Sequence, residues 1–351
     1  MAGLSNKYQA CIPKIVLKTG RCYALKMVYV FKELSLEELS SDFASGQNGL
    51  NFVYPFLHPG WQSIWQKCFS PPGRQVCGLV TLGSEMVGLI ALRIDSEVAR
   101  FIADGNVFDY LDFAVKPGHQ AGYFELLLKL LKQNQVEVLE LEGLTARSQA
   151  YDVLLPLAKE KGILVVCEQA DVSPLLELPA DFEKYLAGLE KHQRHELKRK
   201  LRRLEETLTP RLEVVTSPGD IDILLDQMEL SHPEKAIFLN PEMRCYFKQL
   251  ADWLGSQGYL RLIFLKTGET VLASLFCFDY NNIRYLYNSG YNPEYSHLSV
   301  GVLSKMLAIK DSIEKGYDAF DFLRGEEKYK FHLGGKSQPV YRCRITLDSQ
   351  V

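Results

Sequence analysis

Along residues 76–81 and 86–94 apolar and polar positions alternate over short stretches, a pattern that predicts two strands joined as a hairpin through Gly83 and Ser84. Short strands are expected over 100–103 and 110–115, around Gly105 and Asn106. Pro117, Gly118 and His119 then open a helix over 123–133, with Phe124, Leu127, Leu128 and Leu131 on one face. A strand over 136–141 closes at Gly143. The same order returns later in the chain. A hairpin over 260–266 and 271–279 turns about Gly268, and a strand over 283–287, a helix over 299–310 and a strand over 320–323 follow, closed by Gly325. Val87 and Val271, Phe101 and Tyr285, and Gly143 and Gly325 stand at equivalent places, offset by about 180 residues, too long a period for a solenoid. One α/β unit is present twice.

The flanking segments add a few elements. A short strand from Val28 leads into a helix start at Ser35, a plausible N-cap with Glu38 three residues on. Phe52, Tyr54, Phe56, His58, Trp61 and Trp65 follow, at a spacing that suits core more often than a substrate cleft. Residues 226–241 read as a helix and an aromatic-bearing loop, and 241–254 as a further helix with Cys245, Phe247 and Leu250 inward. Between the two repeats lies the longest helical pattern, 181–208. Leu186, Leu189, Leu197, Leu201 and Leu204 mark its packed face, and the stretch 191–203 carries seven Lys/Arg. That basic face reads as a solvated surface laced by acids, as a phosphate-binding face, or as a dock for RNA or an anionic membrane. His192 and His195 lie three apart there but lack a third metal ligand nearby.

A chain of 351 residues suggests two domains. We expect a non-native or disordered extension over 1–27, with translation starting at Met27, then a domain over 28–178, a connecting basic helix over 179–208 and a second domain over 209–351. With 47% apolar and 24% charged residues the composition is that of an ordinary soluble protein. The net charge of −3 argues against general nucleic-acid binding, and no DNA partner is expected. Eight scattered cysteines, without CxxC pairs, read as the reduced thiols of a cytoplasmic protein. No apolar run reaches the roughly 18 residues of a transmembrane helix.

The densest chemistry lies at 320–335. The apolar strand Phe320, Phe322, Leu323, interrupted by Asp321, gives way to Arg324, Gly325, Glu326, Glu327, Lys328, Tyr329, Lys330, Phe331, His332, Leu333, Gly334 and Gly335. Strand ends followed by such loops are where sites sit, although a solvated charged turn has the same composition. The stretch Asp321-Phe322-Leu323-Arg324-Gly325-Glu326-Glu327-Lys328-Tyr329-Lys330 resembles the C-terminal signature of the CelD/BioF-type branch of the GNAT acyltransferases. More loosely, it is similar to the Phe-Lys…Gly segment of the Fem-type aminoacyltransferases. The weaker similarity runs from about Phe31 to the C-terminus.

The resemblance implies an α/β (α+β) architecture of tandem GNAT folds, each a mixed twisted sheet flanked by helices. It also implies acyl-CoA, such as acetyl-CoA, as co-substrate without a metal, and a sugar or exopolysaccharide precursor as acceptor. In such enzymes backbone amides at a helix N-terminus hold the pyrophosphate. The matching positions are Leu298, Ser299, Val300, Gly301 and Val302, where the family's usual arginine and second glycine are absent. Glu326 and Asp321 are candidates to act as or orient a general base, and Arg324 to hold a carboxylate or phosphate. Lys330 is a candidate to stabilise an oxyanion and Tyr329 to protonate a leaving thiolate. For Lys330 the Fem-type resemblance implies a catalytic role as well. Asp321 suits equally a structural role, accepting backbone N–H bonds, and His332 reads as a surface or strand residue. Tyr287, Asn288, Ser289, Gly290, Tyr291 and Asn292 read as a β-turn and pocket wall. The expected activity is acyl transfer from acyl-CoA to an amine or hydroxyl. The alternatives are a Fem-like aminoacyltransferase using charged tRNA on the basic helix, and a non-catalytic binding module that kept the fold. No Gly-x-Ser-x-Gly elbow, phosphate-binding Walker loop, His-Glu-x-x-His or kinase set is present.

Overall fold

Ser35 and Glu38 cap the first helix reciprocally: the Glu38 amide donates to Ser35 Oγ at 3.1 Å and the Ser35 amide to Glu38 Oε2 at 2.7 Å. The computed structural model describes residues 8–18, 21–44, 49–50 and 52–347, with side chains from residue 28 onward. The expectation of an extension over 1–27 falls in part outside these residues. The chain divides into two compact units: residues up to Ala170 together with those from Pro339 onward, and Asp171–Gln338.

In the first unit β1 (Tyr8–Lys18) pairs with β2 (Arg21–Glu33), followed by α1 (Leu36–Ala44) and α2 (Pro59–Phe69). Next come β3 (Arg74–Leu82), β4 (Glu85–Asp95), β5 (Val98–Phe101), α3 (Gln120–Gln133), β6 (Val138–Thr145) and α4 (Leu155–Glu160). The β3–β4 hairpin lies where alternation predicts it. The expected strand over 110–115 is instead irregular chain, tied to the sheet by an isolated bridge between Gly88 and Val115 and by the Leu111 amide, which donates to the Gly143 carbonyl of β6. Asp112 explains this. Its carboxylate accepts the amides of Phe113, Gln149 and Ala150, so this stretch serves a side-chain bonding scheme instead of a strand ladder. Phe56, Trp61 and Trp65 are buried, the core reading of the aromatic segment. Cys167 and Cys343, expected as reduced thiols, are joined as a disulfide. They lie on adjacent strands, which their sequence separation of 176 conceals.

The second unit takes the latter part of β7 (Leu164–Glu177), then α5 (Phe182–Gly188), α6 (Lys191–Thr207), β8 (Pro210–Val215), α7 (Ile221–Ser231), α8 (Pro233–Phe238) and α9 (Pro241–Ser256). β9 (Leu260–Thr267), β10 (Thr270–Tyr280), β11 (Ile283–Tyr291), α10 (Val300–Glu314), β12 (Ala319–Asp321) and α11 (Lys328–His332) complete it. β13 (Lys336–Thr346), expected with the second domain, pairs with β6 in the first unit. The expected helix over 181–208 is two helices, because Leu189 and Glu190 turn extended after Gly188. α6 is part of the second unit, where Leu197 and Leu204 join its core.

The duplication is visible in the pairing. β5 runs parallel to β6 through Val98–Val138, and β11 runs parallel to β12 through Ile283–Ala319. In the second unit the strands lie in the order β7-β12-β11-β10-β9-β8. One face packs on α5, α6 and α10, with Tyr185, Leu204, Leu303 and Met306 in a single cluster. The other face meets α7 and α9, where the Phe247 and Phe276 rings lie 5.7 Å apart and tilted. Arg284 of β11 is fully buried, yet Asp279 grips it by two hydrogen bonds and Asp311 of α10 by a third. A buried guanidinium is tolerable only when so compensated.

Gly290 lets α7 approach β11. A Cβ there would stand 2.4 Å from the Met228 amide nitrogen and 2.5 Å from the Gln227 carbonyl carbon. Gly290→Ala is therefore expected to destabilise the protein by about 1–3 kcal/mol, read as a lowered urea midpoint.

Candidate functional site

β11 and β12 are paired over three residues only, ending at Tyr285 and Asp321, while β11 runs on to Tyr291. Two local features part them. On β11 the register with β10 slips between Phe276 and Cys277, leaving Tyr287 without an opposite residue, a β-bulge. The bulge shifts the alternation by one, so Ser289 and Tyr291 continue the α10-facing side begun by Arg284 and Leu286. After β12, Asp321 Oδ1 accepts the Leu323 amide at 2.7 Å, and Leu323 sits at φ 59, a left-handed conformation costly for a branched residue. The chain thus leaves β11, while the Gly325 amide still donates to the Val172 carbonyl of β7.

A cavity of about 520 Å³ opens in this gap. Ser289 and Tyr291 of β11 form one wall. Glu327 and Tyr329 form the facing wall, and Ser231, His232, Glu234 and Lys235 of the α7–α8 corner form a third. The start of α10, with Ser296 and Ser299 before it and Gly301, Val302 and Lys305 within it, supplies the fourth. Ser299 also takes a left-handed conformation at φ 59 to start the helix. Helix N-termini leave amides unbonded and carry partial positive charge, so this end of α10 favours an anion.

Five positions were expected to meet a cofactor, and Ser299, Gly301 and Val302 line the cavity while Leu298 and Val300 are buried beneath it. Gly301 matters sterically, since a Cβ would meet the Tyr291 ring at 3.2 Å. Of the expected catalytic residues only Tyr329 lines the cavity, and burial pushes its phenol well above the usual range, keeping the proton on oxygen. Lys330 is 2% exposed and turns away. Its Nζ donates to the carbonyls of Leu323 at 3.1 Å and Arg324 at 2.5 Å and pairs with Glu327 at 2.9 Å, so it staples the loop that carries Tyr329. Asp321 takes the structural option, accepting from Leu323 and from Ser173 Oγ. Arg324 is half-buried and Glu326 exposed, and neither lines the cavity.

The sequence reading passed over Lys235, Lys305, His232 and Glu327. Lys305 left one signal, a lone cation between the buried Ser304 and Met306 of an otherwise apolar helix face. Lys235 left none. Among the described residues no three His, Cys, Asp or Glu side chains group as metal ligands, and no helix is long and apolar enough to cross a membrane.

Residues 191–331 match the acetyltransferase (GNAT) domain. The match lies within the second unit. No curated protein matches the sequence. Among solved structures the chain is similar to FemX, at 11% identity and a TM-score of 0.61, covering 89% of this chain and 96% of that one. A conserved protein of unknown function from Bacteroides thetaiotaomicron VPI-5482 gives 0.59 at 11% identity, covering 90% and 99%. The C-terminal DUF2156 domain of a putative lysylphosphatidylglycerol synthetase from Agrobacterium fabrum gives 0.53 at 11% identity, covering 88% and 92%. At such identities the likeness is one of fold, and it spans both units. The architecture is the mixed α/β arrangement expected from the sequence, a mixed sheet flanked by helices, with the match to the acetyltransferase (GNAT) domain in the second unit.

Lys330→Met strands the carbonyls of Leu323 and Arg324 and frees Glu327. It is expected to lower the unfolding free energy by about 2 kcal/mol, measured by urea titration. An unchanged midpoint would show that the loop does not need the ammonium.

Proposed function

We propose that the protein transfers an acyl group from acyl-CoA to an amine or hydroxyl at the gap between β11 and β12, as an enzyme of the CelD/BioF type. The observation that carries this reading is the convergence of three features on one cavity. They are strands parted by a bulge, the N-terminus of a 15-residue helix and a buried phenol. A thioester supplies an acyl carbon open to attack and a thiolate that leaves. At the first turn of α10 the Ser299 and Val302 amides already donate to the Ser296 and Ser299 carbonyls, so the pyrophosphate would be held through the Gly301 amide, and the close-fitting Gly301 leaves that approach free of a side chain. As the new bond to the acceptor nitrogen or oxygen forms and the C–S bond breaks, the departing sulfur needs a proton. Tyr329, held protonated by burial, would give that proton and take back the one that the acceptor nitrogen or oxygen loses as its bond forms. Lys330 serves as a positioning residue through the loop carbonyls. The acceptor favoured by the CelD/BioF resemblance is a sugar or polysaccharide precursor.

A second reading, aminoacyl transfer from charged tRNA, is favoured by α6 and by the Fem-type resemblance. Four of its seven basic side chains, Lys191, Lys198, Arg199 and Arg202, are exposed. Acids answer part of that charge, since Arg199 and Lys200 pair with Glu196 and Lys198 with Glu183. That lacing leaves the acyl-CoA reading ahead.

Calorimetric titration of acetyl-CoA and of free CoA tests the first reading. Micromolar binding is expected, weakened at least tenfold in Ser299→Tyr and Gly301→Trp. Absence of binding to either ligand, with tRNA retained on purification at low salt, would replace it with the second reading.

A further inference from the structure

Two lysines enter the cavity from opposite walls, and neither has a carboxylate within ion-pairing distance among the described residues. Lys305 of α10 is 7% exposed, donates to the Gly301 carbonyl at 2.9 Å and lies 4.9 Å over the Tyr329 ring. Lys235 of α8 donates to Asn288 Oδ1 at 3.1 Å and to the Ser289 carbonyl. Other buried cations of this unit are compensated differently: Arg284 has Asp279 and Asp311, and Lys330 has Glu327. A buried ammonium bonded only to neutral oxygens keeps an uncompensated charge, which costs free energy in the empty state and is recovered when an anion enters.

We propose that Lys235 and Lys305 form a subsite for an anionic group, a phosphate or a carboxylate, carried by the acceptor. The inference rests on the acyl-transfer reading for the word acceptor. The lysine pair itself rests on the geometry alone. Lys235 belongs to the α7–α8 corner and Lys305 to the second turn of α10, where it bonds to the carbonyl of Gly301, so neither lysine supplies the backbone amide assigned to the donor. The charges facing the pair are Glu234 and His232 from the corner, Glu327, Tyr329 and Lys330 from the loop and α11, and Cys277 from β10. Burial lowers Lys235 to about 8 and Lys305 to about 7; the charge of Lys235 lowers Lys305 further, and Glu327 opposes the shift of both. An anion binds the protonated pair. Binding should therefore take up protons near pH 8, and affinity should fall as pH rises through the range 7 to 8.

Inorganic phosphate and acetate, titrated separately by calorimetry into the whole protein, are the probes. Saturable binding of at least one is expected, with proton uptake shown by repeating the titration in buffers of different ionisation enthalpy. Affinity is expected to drop at least tenfold in Lys235→Met and in Lys305→Met, but not in Lys310→Met on the same helix. Because each Met variant removes a charge that no carboxylate pairs, buried at Lys305 and half-buried at Lys235, thermal stability should hold or rise, which separates lost binding from lost folding. Binding should persist in saturating CoA. Competition with CoA, no binding of either probe, or binding indifferent to the two substitutions would overturn the proposal. Lysine-dependent binding in a protein that ignores acetyl-CoA would remove the donor reading and leave the subsite standing.

Discussion

The short pairing of β11 with β12 governs the second unit. Three residues of parallel ladder tie the strands through Tyr285 and Asp321, and beyond them neither strand can continue the ladder. On one side the extra residue Tyr287 turns the strand. On the other, the Asp321 carboxylate draws in the Leu323 amide and holds Leu323 in a conformation that cannot continue a strand. The cavity exists because the ladder fails there.

Everything polar in the neighbourhood serves that failure. The Arg284–Asp279–Asp311 cluster anchors the paired end, joining β11 to α10 below the gap, with Tyr317 Oη donating to Asp279 as well. Lys330 holds the departing loop by its carbonyls, so Tyr329 faces the cavity from a fixed support. A left-handed residue before α10 and a glycine against the Tyr291 ring bring the helix start to the same opening. Preorganisation of this kind keeps the cost of ordering out of the reaction step.

The charge of the cavity is of two kinds. One is the fixed partial charge of a helix end. The other is a pair of lysines whose protonation depends on what is bound. A site so built distinguishes an anionic ligand from a neutral one by both attraction and proton uptake, and the two effects share the same side chains.

The periodicity of apolar residues determined the hairpins, the α10 helix and the repeat of one unit in the other, because alternation and helical spacing are local consequences of burial. The Asp321–Lys330 run singled out the loop that borders the cavity for the same reason: acids and cations beside a buried strand must answer to something. The roles within that run were not legible. Whether Lys330 points at ligand or at loop carbonyls depends on the left-handed turn at Leu323, and whether Lys235 and Lys305 meet depends on a bulge and on two helices brought together by the sheet. The bond between Cys167 and Cys343 and the placement of β13 in the first unit were equally hidden. Each joins residues far apart in the chain, and sequence pattern reports which face is buried but not what it is buried against.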